Sequence, residues 1–125
     1  MRRAAILGLA LAFVTGCSTD ATGPSVSLEG SYSLRSINGF TLPYTFSNGV
    51  TLTSDVLTLD YDGSFQDVST YRNAPSSVHR GYYASVNESA VTFTDLTSGI
   101  TYKGSLSGSV LTEIVNGFTQ AYLKY

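Results

Sequence analysis

The side chains in this sequence best suited to chemistry are one cysteine, one histidine, nine tyrosines and a scatter of aspartates. Any Ser–His–Asp triad would have to use His79, the only histidine. The G-x-S-x-G turn that would expose a nucleophilic serine does not occur, and His79-Arg80 after the Pro75 loop reads as a solvated strand start. Asp60 and Asp62 are two apart, so on a strand both carboxylates leave the same face, near Asp67. Calcium needs six to eight oxygens, and no D-x-D-x-D-G loop supplies them. Asp62-Gly63 is better explained as a hairpin turn. Zinc lacks ligands in a chain with one His and one Cys. The glycines stand singly at turns, so no phosphate cradle is expected. The expectation is therefore no catalytic residue, no metal and no cofactor.

Tyrosine is the remaining chemical surplus, in a chain without tryptophan. Its ring is rigid and apolar and its tip is polar, which suits both binding surfaces and strands. Tyr32, Tyr61, Tyr82, Tyr102 and Tyr122 are the candidate ligand-binding residues. Of Tyr82 and Tyr83, neighbours on one segment, one must face outward if that segment is a strand.

Cys17 ends the opening stretch MRRAAILGLALAFVTGC. Arg2 and Arg3 form a basic n-region, and Ala4 to Val14 is an apolar run too short to span a bilayer. A leftover cysteine in a secreted chain calls for an explanation. Val14-Thr15-Gly16-Cys17 resembles the lipobox of bacterial lipoproteins. The resemblance implies a diacylglycerol thioether on Cys17, cleavage just before it, and acylation of the new amino group. Two or more acyl chains hold a protein stably on a membrane. Ser18, standing where an aspartate would favour inner-membrane retention, implies an outer-membrane destination in a double-membraned cell.

Removing residues 1–16 leaves 109 of the 125 residues, enough for one small domain. The loss of Arg2 and Arg3 leaves 5 basic against 9 acidic residues, a charge of −4. That balance argues against a nucleic-acid partner. Residues 17–27, the lipidated cysteine and a small, polar, Pro/Gly-containing stretch, read as a flexible tether. Residues 28–125 are expected to be the folded domain.

The elements of that domain follow from its punctuation. Asn38-Gly39, Asn48-Gly49, Asp62-Gly63 and Asn116-Gly117 supply the positive φ that tight hairpins need. Between them, apolar and polar residues alternate: Leu57 and Leu59 against Thr58 and Asp60, or Val91 and Phe93 against Thr92 and Thr94. Strands are expected over 29–37, 40–46, 50–61 with a break near Ser54, 64–72, 79–86, 90–95, 100–106, 109–115 and 118–124. The fold class is all-β, a small antiparallel meander barrel of eight or nine short strands that hides its edges by closing, with a β-sandwich as the alternative.

Leu28-Glu29-Gly30-Ser31-Tyr32-Ser33-Leu34 resembles the G-x-W opening of lipocalins and their calycin relatives, with Tyr32 for the tryptophan. The resemblance implies that Tyr32 plugs one barrel end beneath a basic residue, Lys124 or Arg35. An eight-stranded barrel is just wide enough to be filled by side chains or to hold one small ligand, and strands this short favour a filled interior. The functional expectation is a non-enzymatic envelope lipoprotein, membrane-bound through Cys17, that binds a small hydrophobic ligand. The alternative is a solid scaffold that binds an envelope protein or inhibits a secreted enzyme.

Overall fold

A computed structural model describes residues 27–87 and 89–125. The expected signal segment 1–16, Cys17 and the expected tether up to residue 26 lie outside the described residues. Among the described residues ten strands follow one another: β1 (Gly30–Ile37), β2 (Phe40–Thr41), β3 (Tyr44–Thr45), β4 (Thr51–Leu59) and β5 (Ser64–Tyr71). They continue as β6 (Ser77–Ser85), β7 (Ala90–Asp95), β8 (Ile100–Ser107), β9 (Val110–Val115) and β10 (Phe118–Lys124). Every strand pair is antiparallel.

Consecutive long strands pair from β4 through β10, and β1 bonds to both β10 and β4. Eight strands therefore close into a barrel, a lipocalin-like shape with no free edge in its wall, and the sandwich alternative is set aside. The stretch expected as one strand over 40–46 is two two-residue bridges, β2 against the end of β1 and β3 against the start of β4. Pro43 stands between them; it lacks the N–H that a continuous ladder requires. The break expected near Ser54 is a register shift between Leu52 and Ser54 in β4. The strand expected from residue 79 starts earlier, at Ser77.

The hairpin chemistry is local. Asn38 and Gly39 have φ of 52° and 83°, and Asn116 and Gly117 have 50° and 82°, the primed-turn geometry that matches strand twist. Asp62 Oδ1 accepts from the Ser64 amide at 2.9 Å and the Ser64 hydroxyl at 2.6 Å, so its carboxylate serves the β4–β5 turn.

One end of the barrel is closed by apolar packing. Tyr32, Leu57, Leu59, Phe65, Val91, Phe93, Leu106 and Leu111 are buried there, each contributing roughly 1.5–3 kcal/mol. The Phe65 and Phe93 rings meet edge to face at 5.6 Å. Lys124, opposite Tyr32 in the β10–β1 register, holds Nζ 5.8 Å from the Tyr32 ring centroid and donates to the Ser27 carbonyl at 2.6 Å. The plug implied for Tyr32 is thus formed with Lys124. A Cβ on Gly30 would lie 2.7 Å from Lys124 Cε, so glycine leaves room for the lysine to cross.

Candidate functional site

Following each strand from the closed end exposes a repeated order of side chains. On β4, Leu59 and Leu57 give way to Asp55; on β5, Phe65 gives way to Asp67. On β7, Val91 and Phe93 precede Asp95; on β9, Leu111 precedes Glu113. Opposed residues of an antiparallel pair share a face. Asp67 stands opposite His79, Asp55 opposite Ser69, and Glu113 between Gly104 and Gln120. A polar belt results, with Tyr102 on β8 completing it. Beyond it, Phe46, Leu52, Tyr71, Ile100, Val115 and Phe118 form an apolar rim.

Belt and rim enclose a cavity of about 280 Å³, room for roughly nine waters at ~30 Å³ each. The interior is therefore packed solid only in its lower half, not throughout as the short strands led one to expect. Phe46, from the loop after β3, packs edge to face on Phe118 at 5.6 Å and on Tyr44 at 5.1 Å. The two short strands thus position one wall of the mouth.

The belt is tied together unevenly. Asp55 accepts from Ser69 Oγ at 2.6 Å and from the Tyr122 hydroxyl at 3.1 Å. His79 Nδ1 lies 2.7 Å from Asp95 Oδ2, and Asp95 Oδ1 accepts from the Thr97 and Ser98 amides. His79 is therefore a cavity-facing partner of a buried carboxylate and not a solvated strand start. Glu113 Oε2 and Asp67 Oδ1, both buried, have no hydrogen-bond partner.

Burial drives the electrostatics. Burial, with repulsion from Asp55 added, pushes the Glu113 carboxyl up to about 8. Burial, a hydrogen bond with Asp55, and the charges of Asp55, Glu113 and Asp95 push Asp67 well above the carboxylate range. Burial also acts upward on Asp95, but the hydrogen bonds from His79 and Ser98 outweigh it and hold that carboxyl below its ordinary value. Burial and the nearby acids raise the Tyr102 and Tyr122 hydroxyls. At neutral pH, Glu113 thus holds its proton.

The structure separates the five candidate tyrosines. Tyr102 lines the cavity and stacks on Phe93 with centroids 5.1 Å apart. Tyr122 is buried with its hydroxyl on Asp55. Tyr32 is buried at the closed end, donating to the Leu28 carbonyl at 2.6 Å, away from the cavity. Tyr61 is 90% exposed on the β4–β5 turn, and Tyr82 is the outward member of its pair at 58% exposed. Only Tyr102 and Tyr122 come together near the belt. Asp55, Asp67, Asp95 and Glu113 were missed as a group. A signal for them existed: each is in phase with apolar residues on its own strand, where a carboxylate is out of place.

Fold and site together define a closed antiparallel β-barrel with an acid-lined cavity open at one end. No protein-family model matches this chain, and no curated protein matches it.

Proposed function

We propose that this chain is a lipid-anchored protein of the bacterial envelope, held at the outer membrane through Cys17, whose barrel binds one small ligand without transforming it. The observation that carries the binding reading is the unfilled cavity of about 280 Å³ behind an apolar rim. A concave site that sets converging polar groups of a belt beneath an apolar rim suits a small molecule with both kinds of surface. The rim supports the hydrophobic part of the ligand expected from the sequence. The volume favours a compact ring or short chain over a long acyl tail.

The anchor reading rests on the lipobox-like Val14-Thr15-Gly16-Cys17. The described chain enters at the closed end, where the Lys124 ammonium meets the Ser27 carbonyl and the Tyr125 amide bonds to Ser31. A tether leaving from that end leaves the mouth at the opposite end, facing away from the bilayer. A solid scaffold that only binds a protein partner has no use for an open interior, so the binding reading is preferred.

Two measurements test the proposal. Native mass spectrometry of the full-length protein, released from mild detergent, is expected to show a retained small molecule or uptake of small aromatic probes. An interior that admits none of them sinks the binding reading. Separately, Cys17→Ala is expected to move the protein from the membrane fraction to the soluble fraction, and continued membrane retention sinks the anchor.

A further inference from the structure

Two features of the cavity are not explained by a purely apolar ligand. Glu113 is 1% exposed, lines the cavity, and leaves Oε2 with no donor. Asp67 Oδ1, on the far side of His79 and Asp95 from it in strand order, is likewise buried and without a donor. A buried acceptor left unpaired is costly, and a charged one more so. Three belt donors point elsewhere, Ser69 and Tyr122 to Asp55 and His79 to Asp95, and no described residue donates to either orphaned oxygen. A ligand in the space between can supply the missing donors.

The chemistry of that occupant is narrow. An anion would face four carboxyl groups. A neutral apolar molecule would fill the volume and leave both oxygens orphaned. Among the described residues, no three His, Cys, Asp or Glu side chains are arranged to hold a metal ion. A primary ammonium carries three N–H donors on one compact positive nitrogen. Hydrogen bonds from it to carboxylates are short and charge-assisted. The rim, with Phe46, Tyr71 and Phe118, offers aromatic surface for the rest of such a molecule.

We propose that the ligand of this cavity carries a protonated primary amine on a small apolar or aromatic body, with its N–H groups donating to Glu113 Oε2 and Asp67 Oδ1. The inference rests on the reading of the barrel as a ligand container. Without the ligand, the proton on Glu113 removes one negative charge from the belt. On binding, Glu113 releases that one proton to solvent and the single positive charge of the ammonium replaces it.

The test is calorimetric titration of the full-length protein in detergent micelles, with empty micelles as reference. The two probes are phenethylamine and its neutral isostere 2-phenylethanol. The amine is expected to bind at least about tenfold more tightly. Glu113→Gln and Asp67→Asn are each expected to shrink that preference at least about threefold while the alcohol binds as before. The two variants are independent, so the readout survives if one of them fails to fold. Equal affinity for the two probes overturns the amine assignment and leaves the container standing. A preference that persists in both variants also overturns it, by placing the amine elsewhere. Binding of neither probe overturns the container and the amine together.

Discussion

Glu113 illustrates how burial converts a surface-type residue into a titrating switch. Its carboxyl holds its proton to about pH 8 when folded, against an ordinary value of 4.5. The folded chain binds that proton more tightly than the unfolded chain does. The resulting stabilisation is complete below about pH 4.5 and is lost as pH rises through about 8. Asp67 acts with the same sign, and Asp95, whose carboxyl is held down, acts with the opposite sign only below the ordinary value of 3.8. The groups facing Glu113 across the belt are Asp55, Asp67, His79, Asp95, Tyr102, Gln120 and Tyr122. Urea unfolding is therefore expected to show the protein more stable at about pH 5.5 than at about pH 9, with Glu113 supplying roughly 3 kcal/mol of the difference. Glu113→Gln is expected to flatten the profile and raise stability at the alkaline end. A wild-type profile with no alkaline loss would contradict this. Tyr122→Phe removes a donor from buried Asp55 and is expected to lower stability by about 1–3 kcal/mol at neutral pH.

At the scale of elements, the strands depend on glycines at points of close approach. Gly81 on β6 sits inward, and a Cβ there would come 1.9 Å from the Thr94 carbonyl oxygen and 2.9 Å from the Phe65 ring. Backbone cannot yield that distance without breaking the β6–β7 ladder. Gly81→Ala is expected to lower the unfolding free energy by about 3 kcal/mol or more. Gly49→Ala, with φ of 88° but open space around it, is expected to lose only about 1 kcal/mol. Near-equal urea midpoints for the two variants would argue against the packing described for β6. The strand list was largely legible because Asn-Gly and Asp-Gly turns and period-2 alternation are local signals. The split of 40–46 was less so, because two short bridges and one longer strand share the same composition.

At the scale of the molecule, closure joins the first long strand to the last. In the barrel wall β1 pairs with β4 and, across nearly the whole length of the domain, with β10. Contacts between residues so far apart in sequence must overcome the loop entropy of most of the domain before they contribute. Deleting β10 (Phe118–Lys124) from the full chain is expected to remove cooperative unfolding altogether, because it opens β1 and β9 and takes Tyr122 and Lys124 with it. A sharp thermal transition in that truncated protein would show that the wall does not depend on closure. The same closure creates the enclosed space in which four carboxyl groups from four strands become neighbours.

The sequence by itself determined the all-β class, the turn positions, the inward phase of Leu57, Val91 and Phe93, and the role of Asp62 in its turn. These are properties of a few consecutive residues, and the physics that sets them acts over the same few residues. The pairing of Tyr32 with a basic residue was implied only by the family resemblance, and the choice of Lys124 over Arg35 required the β10–β1 register. The tertiary structure alone decided that Asp55, Asp67, Asp95 and Glu113 share one cavity, that His79 pairs with Asp95, and that Tyr61 and Tyr82 face away. Those facts depend on which strands become neighbours when the sheet closes. Burial and mutual repulsion of carboxyl groups exist only once that closure has brought them together.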